Sequence, residues 1–165
     1  MKNKMMLWIT LLLISIMLAS CSLVGSKAGS IKCTGTSKNV GETPGKSEVV
    51  NGASRTEGLI IEFELVSDCP ELTGVMKATA NYFYDAQLAW GTFYIETAYQ
   101  GGGRIEGTTD YTRSSDGTAV MSCTSVDSIG SLRGLKLDLT ANVPAGAGYL
   151  SEVPFEATIQ NAPQE

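Results

Sequence analysis

The chain of 165 residues contains no histidine. That removes Ser-His-Asp and Cys-His catalysis, imidazole metal ligation and the usual proton shuttle near neutral pH. Acid–base chemistry then falls to carboxylates. Glu62 and Glu64 share one face of the run LIIEFELV, and Glu106 and Asp110 share one face of RIEGTTDYTR. Paired acids divide into donor and base where burial drives their pKa values apart. Both pairs lie on polar faces, however, and a solvated exterior accounts for them without catalysis. Asp110, Asp116 and Asp127 offer oxygen ligands for calcium, but no loop among them has calcium-binding spacing. Gly101-Gly102-Gly103-Arg104 is no phosphate cradle, because no helix follows to lend its N-terminus. It reads as a hairpin turn. The sequence thus assigns no catalytic residue, no metal ligand and no cofactor.

Four cysteines remain as chemistry-bearing residues: Cys21, Cys33, Cys69 and Cys123. None forms a Cys-x₂-Cys pair, which argues against a structural zinc site. Cys21 stands apart because of what precedes it. Met1-Lys2-Asn3-Lys4 is a short basic start, and Met5–Leu18 is almost wholly apolar. A charged start, a short apolar run and then small residues are the parts of a secretory signal. The run is shorter than the ~20 residues of a membrane span, and no arginine pair precedes it.

The stretch Leu18-Ala19-Ser20-Cys21 resembles the bacterial lipoprotein signal. That resemblance covers the first 21 residues. It implies a diacylglycerol thioether on Cys21 Sγ, cleavage after Ser20, and often acylation (palmitate or similar) of the new amino terminus. Each buried CH₂ is worth ~0.8 kcal/mol, so two or three acyl chains anchor stably where one does not. Removal of residues 1–20 takes away two lysines and no acid, so the formal charge of −5 becomes −7 on the remaining 145 residues. Such a chain should be repelled by nucleic acid and by anionic headgroups. No second apolar run has spanning length. The expectation is a protein anchored to a bacterial membrane through Cys21, facing the periplasm or the cell exterior.

The aromatic residues concentrate between Tyr82 and Tyr111. Period-two alternation assigns Tyr82, Tyr84, Trp90 and Tyr94 to one set of faces and Phe83 and Phe93 to the other. One set suits a core; the other suits a platform for an apolar ligand, a sugar or a protein partner. Cross-strand pairing that merely stabilises a sheet is the competing account.

The elements that must carry these residues are strands. Ile61, Phe63 and Leu65 share a face, as do Ile105, Gly107, Thr109 and Tyr111. So do Leu135, Leu137, Leu139, Ala141 and Val143, and finally Val153, Phe155, Ala157 and Ile159. Such alternation marks half-buried antiparallel strands. Turn chemistry divides the runs and predicts strands near 58–66, 73–84, 88–99, 104–113, 118–127, 134–143 and 153–160. Outside the signal no helical spacing occurs. The fold expected is all-β: an antiparallel meander closing into a barrel of seven or eight strands, with a β-sandwich as the alternative, preceded by a cleaved signal helix. Three segments follow: the signal at 1–20, a flexible tether at 21–54 with an optional strand at Ile31–Thr36, and the β domain at 55–165. The tether assignment rests on its Gly, Ser, Lys, Thr and Asn content.

Ser67-Asp68, Pro70, Gly74, Trp90-Gly91-Thr92, the Gly102–Gly107 hairpin and Gly134-Leu135 together resemble a group of uncharacterised secreted bacterial β domains. Cys69 and Ile105 depart from that pattern. The strand rhythm is also similar to that of allene-oxide-cyclase-like barrels, with no active-site motif to carry over.

In an oxidising compartment, three cysteines allow at most one internal bridge. If the optional strand runs antiparallel beside the first predicted one, Cys33 pairs with Cys69. A Cys69–Cys123 bridge and three reduced thiols are the alternatives. Functionally the chain reads as a lipid-anchored envelope protein that binds a small apolar ligand or a protein. A barrel enzyme acting on an apolar substrate and a purely structural lipoprotein are the other readings. Binding is favoured over catalysis.

Overall fold

A computed structural model of the chain describes residues 29–148 and 150–161. Cys21, the signal at 1–20 and the tether stretch 22–28 lie outside the described residues. What is described is antiparallel throughout. The strands are β1 (Ser30–Thr43), β2 (Lys46–Val50), β3 (Ala53–Ser67), β4 (Gly74–Phe83), β5 (Leu88–Thr97), β6 (Gly103–Arg113), β7 (Ala119–Gly130), β8 (Leu135–Val143) and β9 (Glu152–Asn161). The only helical turns among the described residues are single 3₁₀ turns at Pro70–Leu72 and Tyr99–Gly101.

From β3 to β9 each strand pairs with the next, and β1 joins the two ends. On one side β1 pairs with β9, from Ser30↔Gln160 to Lys38↔Glu152; on the other it pairs with β3, from Gly35↔Ser67 to Thr43↔Ile60. The result is a closed eight-stranded barrel, with β2 as a ninth strand hairpinned onto the upper part of β3. Closure leaves no open edge in the barrel wall, the one complete solution to the unpaired-strand problem. The β-sandwich alternative is thereby excluded.

The optional strand expected at Ile31–Thr36 lies inside β1, which runs on to Thr43; β2 and the start of β3 occupy the rest of the stretch up to residue 54. Without β1 the barrel has no seam. Gly35 shows why a small residue belongs there: a Cβ at that position would collide with the Val66 carbonyl and the Phe155 ring. Gly91 and Gly107 play the same part on β5 and β6, where a Cβ would run into the Thr79 and Thr124 carbonyls. Tight coiling of a small barrel calls for glycines at such bends. The core strands among the described residues lie within 30–161, and this segment carries a hydrophobic core of its own.

The interior is filled unevenly. At the end where β1 starts and β9 finishes, large side chains meet: Leu65, Met76, Ile95, Ile105 and Leu137 are essentially inaccessible. Leu72, from the Pro70–Leu72 turn, and Leu132, from the β7–β8 turn, plug this base completely. A disulfide joins Cys33 to Cys69 there, with Cα atoms 5.6 Å apart. Beside it, Asp68 accepts hydrogen bonds from the Thr34 amide (2.8 Å) and hydroxyl (3.0 Å). Towards the other end the inward positions become small, and the packing opens.

Candidate functional site

Antiparallel pairing puts directly opposed residues on the same face of a sheet. Following one row around the barrel, Tyr82 opposes Ala89, Ala89 opposes Tyr111, Tyr111 opposes Met121, and Met121 opposes Ala141. A neighbouring row reads Ala80, Gly91, Thr109 and Cys123. Where the base has leucine and isoleucine, these rows have alanine, glycine and threonine. The missing volume is a cavity of about 370 Å³ opening at the barrel mouth.

Its floor and walls are apolar, formed largely by Ile61, Phe63, Ala78, Ala80, Met121 and Ala141. Tyr82, Tyr84 and Tyr111 stand at the opening. Tyr82 is central: its ring lies 4.7 Å from that of Tyr84 in an edge arrangement and 6.1 Å from that of Tyr111. The β2–β3 hairpin braces this side. Ser47 Oγ and Thr56 Oγ1 are 2.8 Å apart, and Thr56 Oγ1 lies 3.1 Å from the Tyr84 hydroxyl. Burial pushes the Tyr82 phenol above its ordinary pKa, with the neighbouring Tyr111 acting in the same direction and the Arg113 charge opposing it. Tyr82 is therefore a neutral hydroxyl at physiological pH, able to donate a hydrogen bond.

The four aromatic residues singled out from the sequence are split by the fold. Tyr82 and Tyr84 reach the cavity. Trp90 is on the outer register of β5, at the rim, stacked on Phe83 with ring centroids 5.1 Å apart. Tyr94 is also outside, under the Arg104 guanidinium at 3.9 Å. Phe93, assigned to the face opposite Tyr82, is instead in the core, 2% exposed. The phase of alternation shifts across the β4–β5 turn: Tyr82 pairs with Ala89, so the odd-numbered residues of β5 point inward.

The carboxylates stay on the exterior. Glu62 pairs with Lys77 at 2.8 Å, and Glu106 with Arg104 at 2.9 Å. Asp110 and Asp127 are exposed on β6 and β7, and Asp116 caps its own hairpin by accepting from the Thr118 amide and hydroxyl. Among the described residues, one trio of ligating side chains converges, Cys33, Asp68 and Cys69, and its two sulfurs are consumed by the disulfide. Cys123 remains a thiol inside the barrel, hydrogen-bonded to Thr109 Oγ1 at 3.4 Å, and burial pushes its pKa up to about 11. It is a small apolar filler with negligible thiolate.

Sequence reasoning did not anticipate the alanines that create the cavity, nor Tyr111 as its third hydroxyl. Tyr111 was legible as an inward residue of β6, but nothing marked it as a neighbour of Tyr82. No helix among the described residues is long and apolar enough to cross a membrane. No family model, curated protein or solved structure matches the chain, so what the site does is argued from its own chemistry.

Proposed function

We propose that this protein is a binding module for a small apolar molecule, held at a bacterial membrane by lipid on Cys21, with the ligand entering the barrel through the tyrosine-ringed mouth. The cavity carries the reading. Its volume of about 370 Å³ lies within the ~300–1,000 Å³ of small-molecule sites, and an apolar lining with a few converging polar groups is what such sites show. A cavity lined by alanine where leucine would fit forgoes packing energy, a cost of about 24 cal/mol per Å³ of void in engineered cases. Occupancy by a ligand offsets that cost.

Binding is favoured over turnover by the placement of the ionisable groups. Both carboxylate pairs face solvent, and the ionisable side chains lining the cavity wall are phenols, of which Tyr82 is held neutral by its burial, with the Arg113 cation beyond them at the end of β6. Such a site grips and orients a ligand but supplies no base. The anchor belongs to the same proposal and is supported by the Leu-Ala-Ser-Cys stretch after a short apolar run.

The test uses residues 22–165 produced as a soluble domain and N-phenyl-1-naphthylamine, an uncharged probe that fluoresces on entering an apolar site. Saturable one-to-one binding at micromolar concentration is expected. Ala80→Leu and Ala141→Leu fill the void and should each weaken binding at least about tenfold, at a stability change within ~1.5 kcal/mol. No binding by the wild type, or binding unchanged in both variants, would remove the cavity as the site.

A further inference from the structure

We infer that the cavity takes a single-chain amphiphile with an anionic head, its tail between Phe63, Ala80 and Ala141 and its head at Tyr82, Tyr111 and Arg113. The inference rests on the binding reading above and specifies its ligand class.

The tail follows from the lining already described. The head follows from an asymmetry at the rim. The Tyr84 hydroxyl is committed to Thr56. The Tyr82 and Tyr111 hydroxyls, by contrast, have no hydrogen-bond partner among the described residues. Arg113 stands two residues beyond Tyr111, at the exposed last position of β6, with the parity of the inward row. Its strand partner there is Ala119, which is 3% exposed, and Ala119 in turn opposes Val143 of the cavity wall. The Arg113 amide donates to the Gln87 carbonyl at 2.8 Å, which fixes the strand end at the rim.

Arg55 and Arg104 are both neutralised by glutamates. Arg113 has no ion pair among the described residues, and its charge is felt at the Tyr82 phenol. Of the carboxylates near this end, Asp110 is on the outward register of β6, Asp85 accepts from the Ser54 amide of β3 at 3.2 Å, and Asp116 accepts from the Thr118 amide of its own turn at 2.9 Å. A guanidinium at the strand end two residues beyond Tyr111, exposed and close enough for its charge to act on the Tyr82 phenol, is with those phenol donors the chemistry that receives a carboxylate or a similar oxyanion. The charge of the whole chain runs the other way, being net negative. Any preference for an anion must therefore be local to this rim.

The experiment is displacement of N-phenyl-1-naphthylamine from the soluble domain by two ten-carbon amphiphiles of opposite charge, decanoate and decylammonium, at low salt. Decanoate should displace the probe at concentrations about tenfold lower than decylammonium, the scale of one favourable charge contact against one unfavourable contact. Arg113→Gln should narrow that ratio to within about twofold, and Arg113→Lys should restore most of it, because lysine keeps the charge. Equal displacement by the two, a preference for decylammonium, or a decanoate preference that survives Arg113→Gln would overturn the proposal while leaving the cavity reading standing. Failure of the wild type to bind the probe at all would overturn both, and the two failures are told apart by that first titration.

Discussion

Asp68 shows how one side chain can tie an element whose own large apolar residues, Ile31 and Val40, are exposed and add nothing to the core. Its carboxylate holds the Thr34 amide and hydroxyl, and the Ser67 hydroxyl lies 3.4 Å away. The Thr34 backbone hydrogen bond, and then the Thr34 hydroxyl, keep its pKa below the ordinary aspartate value. A depressed folded-state pKa stabilises the fold at every pH above the unfolded-state value, about 4, and the contribution is lost as pH falls through the lower folded value. Glu48 and Asp116 are shifted the same way, by Arg55 and by Thr118. Urea midpoints measured from about pH 7 to pH 3 should therefore fall below about pH 4. Asp68→Asn should be less stable at pH 7 and show a shallower fall in that window. A variant as stable as the wild type at neutral pH, with an equally steep acid limb, would show that Asp68 contributes nothing to holding β1.

At the scale of elements, β1 is where sequence and structure part. Seven strands were legible because each places large apolar residues at period two, and the structure puts all seven within a few residues of where the pattern did. The inward residues of β1 after Cys33 are Gly35, Ser37 and Asn39, small or polar, and a composition reading takes such a run for a tether. They are small for a reason: Gly35 yields to the Phe155 ring, and Ser37 and Asn39 border the cavity. The same logic hid the cavity itself. A void is written in alanines, which carry no chemistry to notice, and its three tyrosines come from the end of β4, the turn after it and β6, whose relative phase is set by register through β5. Since β1 has little apolar surface to hold it, the Cys33–Cys69 bridge should matter more than usual. It closes a loop of 36 residues' separation, worth roughly 4 kcal/mol in the chain-entropy account. Replacing both cysteines with alanine should lower the unfolding free energy by about that amount, and reducing the wild type should do the same. A loss under ~1 kcal/mol in urea unfolding would show that β1 is held by its two ladders alone.

The whole molecule has two unlike ends, and the proposed anchor would leave from one of them. Ser30 begins β1 beside Gln160, at the base plugged by Leu72 and Leu132; the cavity opens at the opposite end. From Ser30 to Asn39, which borders the cavity, is nine residues of strand, about 30 Å along β1 and ~23 Å along the axis of a tilted barrel. The nine-residue step from Cys21 to Ser30 spans at most ~32 Å whatever its conformation, and it ends at the base rather than the mouth. A lipid on Cys21 would therefore hold the base near the bilayer and the mouth away from it, and the negative charge of the body opposes its lying down on anionic lipid. The ligand would then arrive from the aqueous side, a carried amphiphile rather than one drawn from the membrane beneath. Fluorophores placed at Arg133→Cys, in the β7–β8 turn of the base, and at Ala86→Cys, in the β4–β5 turn of the mouth, would read this directly, since Cys123 is buried and unreactive. With acceptors in the headgroups of vesicles carrying the acylated protein, energy transfer should be clearly stronger from position 133 than from position 86. Cys21→Ser should abolish it at both. Equal or reversed transfer would show that the mouth addresses the protein's own bilayer, and persistence after Cys21→Ser would show that something other than this cysteine holds the protein there.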